Sequence, residues 1–160
     1  MRVSRLRPWR AFALFGLLHL CLGYVHARDV SNIDLVKTHA GKVILLDFWA
    51  SWCAPCRQSF PWMSEQQRRH GKERFAVIAI NVDQDRALAE KFLAKTPAGF
   101  EVYYDPKGQL ATALNIQAMP TSFLIDRRGL VIHTHTGFRD AQRAAREQQI
   151  NELLQRGAPQ

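Results

Sequence analysis

The chain is organised around a buried strand that leads directly into a pair of cysteines. Residues 43–50 (VILLDFWA) are apolar except for Asp47. A run of this length is too short for an independent helix and is typical of a strand buried on both faces. The turn Trp52-Cys53-Ala54-Pro55-Cys56 follows, and helix-forming residues come next. Any fold of this chain therefore has to hold a strand, a turn with two thiols and a helix in succession.

The rest of the chain alternates between strand and helix patterns. We predict strands over 43–50, 75–82, 101–104, 121–126 and 130–136 and helices over 56–70, 86–95, 109–114 and 140–154. The segment 83–85 (DQD) is expected to start the second of these helices. Asp140 is expected to cap the last one, with Ala144, Ile150, Leu153 and Leu154 toward the core. A chain of 160 residues suits one such domain, and the order predicts an α/β fold with a mixed central sheet and helices on both faces.

The first 27 residues have the pattern of an export signal. Four arginines and no acidic residue precede an apolar run over 11–22, which is the charge order of a signal peptide. The run is shorter than the roughly 20 residues that a membrane-spanning helix needs. The segment 25–27 (VHA) offers a cleavage site, so we expect a signal peptide over 1–27 and a mature domain over 28–160. An uncleaved N-terminal anchor is the alternative, and only then would the membrane be a partner.

Removal of the signal changes both the charge and the number of cysteines. The 22 basic residues fall by four to 18 against 14 acidic ones, so the net charge falls from +8 to +4. The basicity is thus partly a targeting feature, and we expect no nucleic acid partner. Cys21 is removed as well, which leaves Cys53 and Cys56 as the only thiols of the mature domain.

Three interpretations of this cysteine pair can be compared. A structural disulfide would stabilise little, because closing so short a loop contributes at most roughly 2 kcal/mol against about 4.7 for a hundred-residue loop. A zinc site would need two more ligands. His133 and His135 could supply them, but alternating polar residues on a hairpin more often face water, so we expect no metal and no other cofactor.

Thiol–disulfide exchange is the interpretation that we favour. Cys53 precedes a predicted helix, whose unpaired N–H groups and dipole stabilise a thiolate. This thiolate would attack a partner's disulfide, and Cys56, one turn further on, would resolve the mixed disulfide. Pro55 suits the first helical turn, where no hydrogen bond is lost.

The segment 48–56 (FWASWCAPC) resembles the active-site segment of the thioredoxin superfamily. With the export signal, residues 57–61 (RQSFP), the helix–strand unit over 86–104 and residues 119–126 (MPTSFLID), the chain more closely resembles the exported TlpA/ResA-like branch. The resemblance covers about residues 29–154. It implies a thioredoxin fold with an extra helix–strand insertion and a periplasmic location.

The resemblance also implies roles for individual residues. Pro120 matches the family's cis-proline beside the cysteines, so Met119 would contact substrate. Trp52, Ala54 and Pro55 complete the expected substrate-binding residues.

Asp47 matches the family's buried acid, which would take the proton from Cys56. From the residues alone, a carboxylate satisfied by backbone donors is an equally good interpretation. The lysine that faces this acid in thioredoxin is replaced here by Ala79.

The predicted function is an exported thiol–disulfide oxidoreductase that reduces protein disulfides. Ala54-Pro55 resembles the Gly-Pro of reducing thioredoxins more than the Pro-His of strong oxidants. The family implies protein disulfides as substrates, such as those of apocytochrome c, and a membrane-embedded thiol donor. The alternatives are a Cu(I)-binding module that uses the two thiolates and a thiol peroxidase on the same fold.

Overall fold

The computed structural model describes residues 28–156, which form a five-stranded sheet with helices on both sides. The strands are β1 (Val43–Trp49), β2 (Phe75–Asn81), β3 (Glu101–Tyr104), β4 (Thr121–Ile125) and β5 (Val131–Thr136). The helices are α1 (Asp34–Lys37), α2 (Ala54–His70), α3 (Arg86–Lys95), α4 (Gln109–Ala113) and α5 (Arg143–Gln155). The predicted order of elements is confirmed, whereas the predicted signal peptide lies outside the described residues. Within 28–156, no helix combines the length and apolarity that crossing a bilayer requires.

The sheet is mixed, as predicted, and has β1 at its centre. The strand order is β3-β2-β1-β4-β5. The pairs β1–β2 and β2–β3 are parallel, and β4 is antiparallel to both β1 and β5. Every residue of β1, β2 and β4 is buried, because helices cover both faces of these strands. The helix–strand insertion adds α3 and β3, which extends the sheet at one edge.

The two faces of β1 support separate cores. Leu45 and Trp49 belong to the core that α2, α3 and α5 cover, together with both cysteines. Leu46 and Phe48 belong to the core under α1 and α4. Since side chains alternate along a strand, Asp47 shares the face of Leu45 and Trp49. The carboxylate and the two sulfurs thus lie on the same side of the sheet.

Helix α2 begins earlier than predicted. It starts at Ala54 with Cys53 as its N-cap and Pro55 in its first turn, and it continues past Pro61 to His70. Cys53 therefore caps a 17-residue helix, and Cys56 lies in the first turn of that helix. This is where the backbone N–H groups have no partner within the helix.

The start of α5 differs from the prediction. A 3₁₀ turn over Asp140–Gln142 precedes it, and Asp140 forms an ion pair with Arg143 at 3.3 Å instead of capping the helix. Ala144 is exposed, and the buried residues of α5 are Arg146, Ile150, Leu153 and Leu154. The predicted core positions Ile150, Leu153 and Leu154 are therefore confirmed, whereas Ala144 is wrong, because it lies off the helical stripe that these residues share with Arg146. An arginine occupies the core position nearest the N-terminus of α5.

Candidate active site

Cys53 and Cys56 form a disulfide at the N-terminus of α2. The Cα atoms lie 5.3 Å apart, and the Cys56 N–H donates to Cys53 Sγ at 3.2 Å. The same N–H groups and the helix dipole would stabilise a thiolate on Cys53 after reduction. Cys53 retains 3% exposure and Cys56 none, so Cys53 is the sulfur that a partner can reach first.

A buried aspartate holds the loop that leads into the disulfide. Asp83 accepts from the Ser51 N–H at 2.9 Å, from Ser51 Oγ at 3.0 Å and from Asn81 Nδ2 at 2.7 Å. Asp83 was predicted at a helix start, but it is Asp85 that caps α3, by accepting from the Ala87 N–H. Parallel strands end at the same edge of a sheet, so an acid just after β2 was a signal for a contact with the loop after β1.

We expect Asp83→Ala to destabilise the fold much more than Asp85→Ala. The first change leaves buried donors without an acceptor, which costs about 1–3 kcal/mol for each unsatisfied group. The second removes an exposed N-cap, worth typically about 1 kcal/mol. Urea unfolding of the two variants measures the difference. Equal losses of unfolding free energy would contradict the role of Asp83 as the anchor of this loop.

An exposed apolar side chain, that of Trp52, directly precedes Cys53 in the chain, and a second, that of Leu88, lies on α3. Trp52 is 69% exposed and Leu88 is 48% exposed, and they are the large hydrophobic residues that stand out at the surface of 28–156. Leu88 and Ser51 also line a groove of about 260 Å³ with Arg57, Lys91 and Lys95. An exposed tryptophan next to the disulfide is a candidate contact for a partner, because tryptophan is enriched at interfaces. Trp49, in contrast, is buried against Phe60, with ring centroids 4.8 Å apart.

Pro120 follows a cis peptide bond from Met119, as the resemblance implied. Thr121 pairs with Phe48 across the antiparallel β1–β4 ladder, so Pro120 lies at the edge of the sheet where β1 enters the cysteine turn. The Pro120 carbonyl accepts from the Gly137 N–H at 2.8 Å. Met119 is partly buried and packs against the core that contains both cysteines. The structure thus brings the predicted substrate-binding residues to one end of the sheet.

Asp47 is buried without a hydrogen-bond partner for one of its oxygens. The residue is 2% exposed, and Oδ2 has no partner. Burial raises the pKa of Asp47 to about 8, against a smaller lowering by the charge of Arg146. Its strand neighbours are Ala79 on β2 and Ser122 on β4. The interpretation of a carboxylate fully satisfied by backbone donors does not fit this geometry.

Arg146 is the residue near this site that the sequence analysis missed. It is 5% exposed and donates through Nη2 to the Gly137 carbonyl at 2.7 Å. Its guanidinium lies over the Phe138 ring, 5.2 Å from the centroid. Its burial could have been inferred from the sequence, because it lies at helical spacing from Ile150, Leu153 and Leu154 and so shares their core-facing side of the helix.

The two histidines of β5 lie on the same face of the sheet as Asp47. Their rings are stacked, with centroids 6.2 Å apart, and His135 Nε2 lies 2.8 Å from Gln149 Oε1 on α5. Burial and the charge of Arg146 lower the pKa of His135. Among residues 28–156, no three His, Cys, Asp or Glu side chains are grouped so that they could hold a metal ion.

Most of residues 28–156 are similar to known proteins. A family model described as Redoxin matches residues 24–154. The thiol-disulfide oxidoreductase ResA of Geobacillus kaustophilus is 34% identical over 102 residues, which cover 64% of this chain but only 59% of that protein. The chain therefore spans well under the full length of this curated relative.

Two solved structures are also similar. One is a crystal structure of a Chlorobium tepidum protein named as thiol:disulfide interchange protein DsbE. Its sequence is 51% identical to this chain, and the TM-score is 0.73. The match covers 74% of this chain and 84% of that one. An exposed lipoprotein thioredoxin of Streptococcus pneumoniae is 28% identical, with a TM-score of 0.64 and coverage of 73% and 89%.

Proposed function

The chain belongs to the Redoxin family and has the thioredoxin-like fold of its ResA-like relatives, and from this we propose that it is a thiol–disulfide oxidoreductase that acts through Cys53 and Cys56. The observation that carries the proposal is the disulfide in the first turn of α2. There the helix terminus stabilises the thiolate, and exposed Trp52 offers an adjacent docking surface.

The reaction that we propose is a two-electron dithiol–disulfide exchange. In the reduced protein, the Cys53 thiolate attacks one sulfur of a partner's disulfide, and the partner's other sulfur leaves as a thiolate. Cys56 then loses its proton to Asp47 and attacks Cys53 Sγ, which releases the partner's second sulfur. The partner disulfide gains two electrons, and the Cys53–Cys56 disulfide is restored.

Protein disulfides are the proposed substrates. Ala54 and Pro55 lie partly open in the first turn of α2, next to Trp52. Met119 and Pro120 lie at the same end of the sheet, where the backbone of Met119 would pair with an extended segment of the partner. An exposed aromatic ring beside backbone groups that can pair with a strand is suited to peptide chains.

The cellular setting is proposed from the N-terminal pattern and from the relatives. An export signal over 1–27 would place the domain outside the cytoplasm, in the periplasm, either free after cleavage or anchored by the uncleaved segment. The apocytochrome c disulfide is a candidate substrate, and a membrane-embedded thiol donor would regenerate the dithiol.

The direction of electron flow is tested by the reduction potential of the Cys53–Cys56 pair. We expect a value nearer to the roughly −270 mV of thioredoxin than to the about −120 mV of a strong oxidant, because the intervening residues are Ala54-Pro55. Equilibration with glutathione or dithiothreitol buffers gives the potential. A value near that of the strong oxidant would contradict the assignment as a reductase.

Reduction of insulin disulfides by the reduced protein tests the proposed activity itself. The two alternatives predict other results. A Cu(I)-binding module would bind copper stoichiometrically and fail to reduce insulin. A thiol peroxidase would rapidly consume hydrogen peroxide.

A further inference from the structure

No charged side chain faces Asp47 from the neighbouring strands of the sheet. The facing residues are Ala79 on β2 and Ser122 on β4, and neither ionises. On β5, His135 pairs with Ser122 and lies one strand further away. The lowered pKa of His135 keeps this ring neutral at neutral pH. A charge that favours ionised Asp47 has to come from a helix.

Helix α5 supplies that charge through a buried arginine. Arg146 lies on the face of the sheet that carries Asp47, where Ile150 and Leu153 of the same helix belong to the core around both cysteines. The other charged residue at this point of α5, Glu147, is occupied elsewhere, since it accepts from Trp62 Nε1 at 3.0 Å and from Arg69 Nη1 at 3.3 Å. Arg146 is therefore the cation that acts on Asp47.

Arg146 and Asp47 are both incompletely satisfied in the protein interior. Arg146 Nε and Asp47 Oδ2 are buried without hydrogen-bond partners. Within residues 28–156, no ion pair shorter than 4 Å joins the two side chains. Both side chains are buried, and buried charges are screened much less than exposed ones, so Arg146 acts on Asp47 without an ion-pair contact.

The same side chain is tied to the loop that carries Pro120. Arg146 Nη2 donates to the Gly137 carbonyl, and the Gly137 N–H donates to the Pro120 carbonyl. Gly137 has a φ of 73°, a conformation that other residues rarely adopt. One arginine thus acts on the buried acid and is linked by two hydrogen bonds to the proline beside the cysteine turn.

We propose that Arg146 is a positioning residue of the exchange reaction: its cation favours ionised Asp47, and its hydrogen bond through Gly137 holds Pro120. This inference rests on the proposed function, because it assigns Arg146 a part in the step in which Cys56 gives its proton to Asp47.

The test isolates that step in the full-length protein. A mixed disulfide of Cys53 with glutathione is formed, and the release of glutathione by Cys56 is followed as a function of pH. In this step Cys56 loses its proton, its sulfur bonds to Cys53 Sγ, and glutathione leaves as a thiolate. We expect Arg146→Met to raise the pH midpoint of the release rate by about one unit. This is the lower end of the range by which an opposite charge shifts the pKa of a carboxyl group.

The rate at pH 7 should consequently fall roughly tenfold in Arg146→Met and recover at higher pH. Arg146→Lys keeps the positive charge, so the pH midpoint of its release rate should lie close to that of the wild type. Arg146→Gln removes the charge but keeps a donor, so it should show the same shift and provides the test if the methionine variant does not fold. Arg143→Met is the matched control, because Arg143 lies near the same Phe138 ring but its side chain is 41% exposed.

Several outcomes would overturn the inference. One is an unshifted midpoint in the folded Met or Gln variant. Another is a lysine variant that behaves like the methionine variant, and a third is a rate that falls equally at all pH values, as a merely structural role predicts. Failure of the proposed function would give a different result from failure of this inference, because the wild-type protein itself would then release no glutathione through Cys56.

Discussion

Cys53→Ser is expected to abolish disulfide exchange, whereas Cys56→Ser is expected to arrest it at the mixed disulfide. A serine hydroxyl cannot replace the thiolate that attacks and carries the partner's sulfur. Without Cys56, the first attack still occurs, but no internal thiolate displaces the partner. The first variant should therefore show only the uncatalysed rate of insulin reduction, and the second should accumulate covalent complexes.

Non-reducing gel electrophoresis and mass spectrometry of the captured proteins measure this difference. The double variant Cys53→Ser/Cys56→Ser is the control and should capture nothing. Capture by Cys53→Ser instead of Cys56→Ser would reverse the proposed roles. Absence of captured proteins from the native compartment would contradict protein disulfides as the substrates.

Asp47→Asn should slow the resolving step strongly while making the fold more stable. An asparagine of the same shape cannot accept the Cys56 proton, and general-base catalysis typically contributes about 10²–10⁴-fold. We expect a loss of roughly 100-fold at pH 8, where about half of Asp47 is ionised. The rise of the wild-type rate through pH 8 should disappear in the variant.

The stability change follows from the raised pKa of the same carboxyl. Folded Asp47 holds its proton up to about pH 8, whereas the unfolded chain loses it near the ordinary aspartate pKa of 3.8. The folded state binds more protons between these values, so wild-type stability falls as the pH rises from about 4 to 8. Asp47→Asn has no such dependence and should exceed the wild type by on the order of a few kcal/mol at pH 8.

Thermal unfolding of both proteins at pH 5 and pH 8 measures this effect. The gap between them should widen with pH, since only the wild type has to ionise a buried group. A variant that is both slower and less stable at pH 8 would indicate a structural role for Asp47. The opposite signs of the two expected effects therefore separate catalysis from packing.

The strands, the cysteine turn and α2 were predictable because their signals are local. Apolar runs define β1 and β2, and Pro55 after Cys53 marks a helix start. The cis bond before Pro120 followed from the family resemblance alone, since an X–Pro bond is trans in about 95% of cases. Asp47 was visible as the only charge in an otherwise apolar strand.

The roles of Asp83 and Arg146 depend on the tertiary structure. Asp83 and Asp85 have the same residue type and nearly the same position after β2, yet one holds the Ser51 loop and the other caps α3. The 3₁₀ turn over Asp140–Gln142 moved the start of α5 to Arg143, three residues later than the pattern predicted. Contacts between residues distant in sequence depend on how helices pack on the sheet, which no local pattern encodes.

The sequence by itself determined the strand, the turn with its two thiols and the helix that follows, because backbone preferences and apolar periodicity act over a few residues. The tertiary structure decided what surrounds them. It buried Asp47 opposite Ala79 and brought the cation of Arg146 to the same face from α5, the last helix of the chain that the structure describes. The protonation of Asp47 depends on this environment, because a pKa shift arises from burial and from charges that only the folded chain brings together.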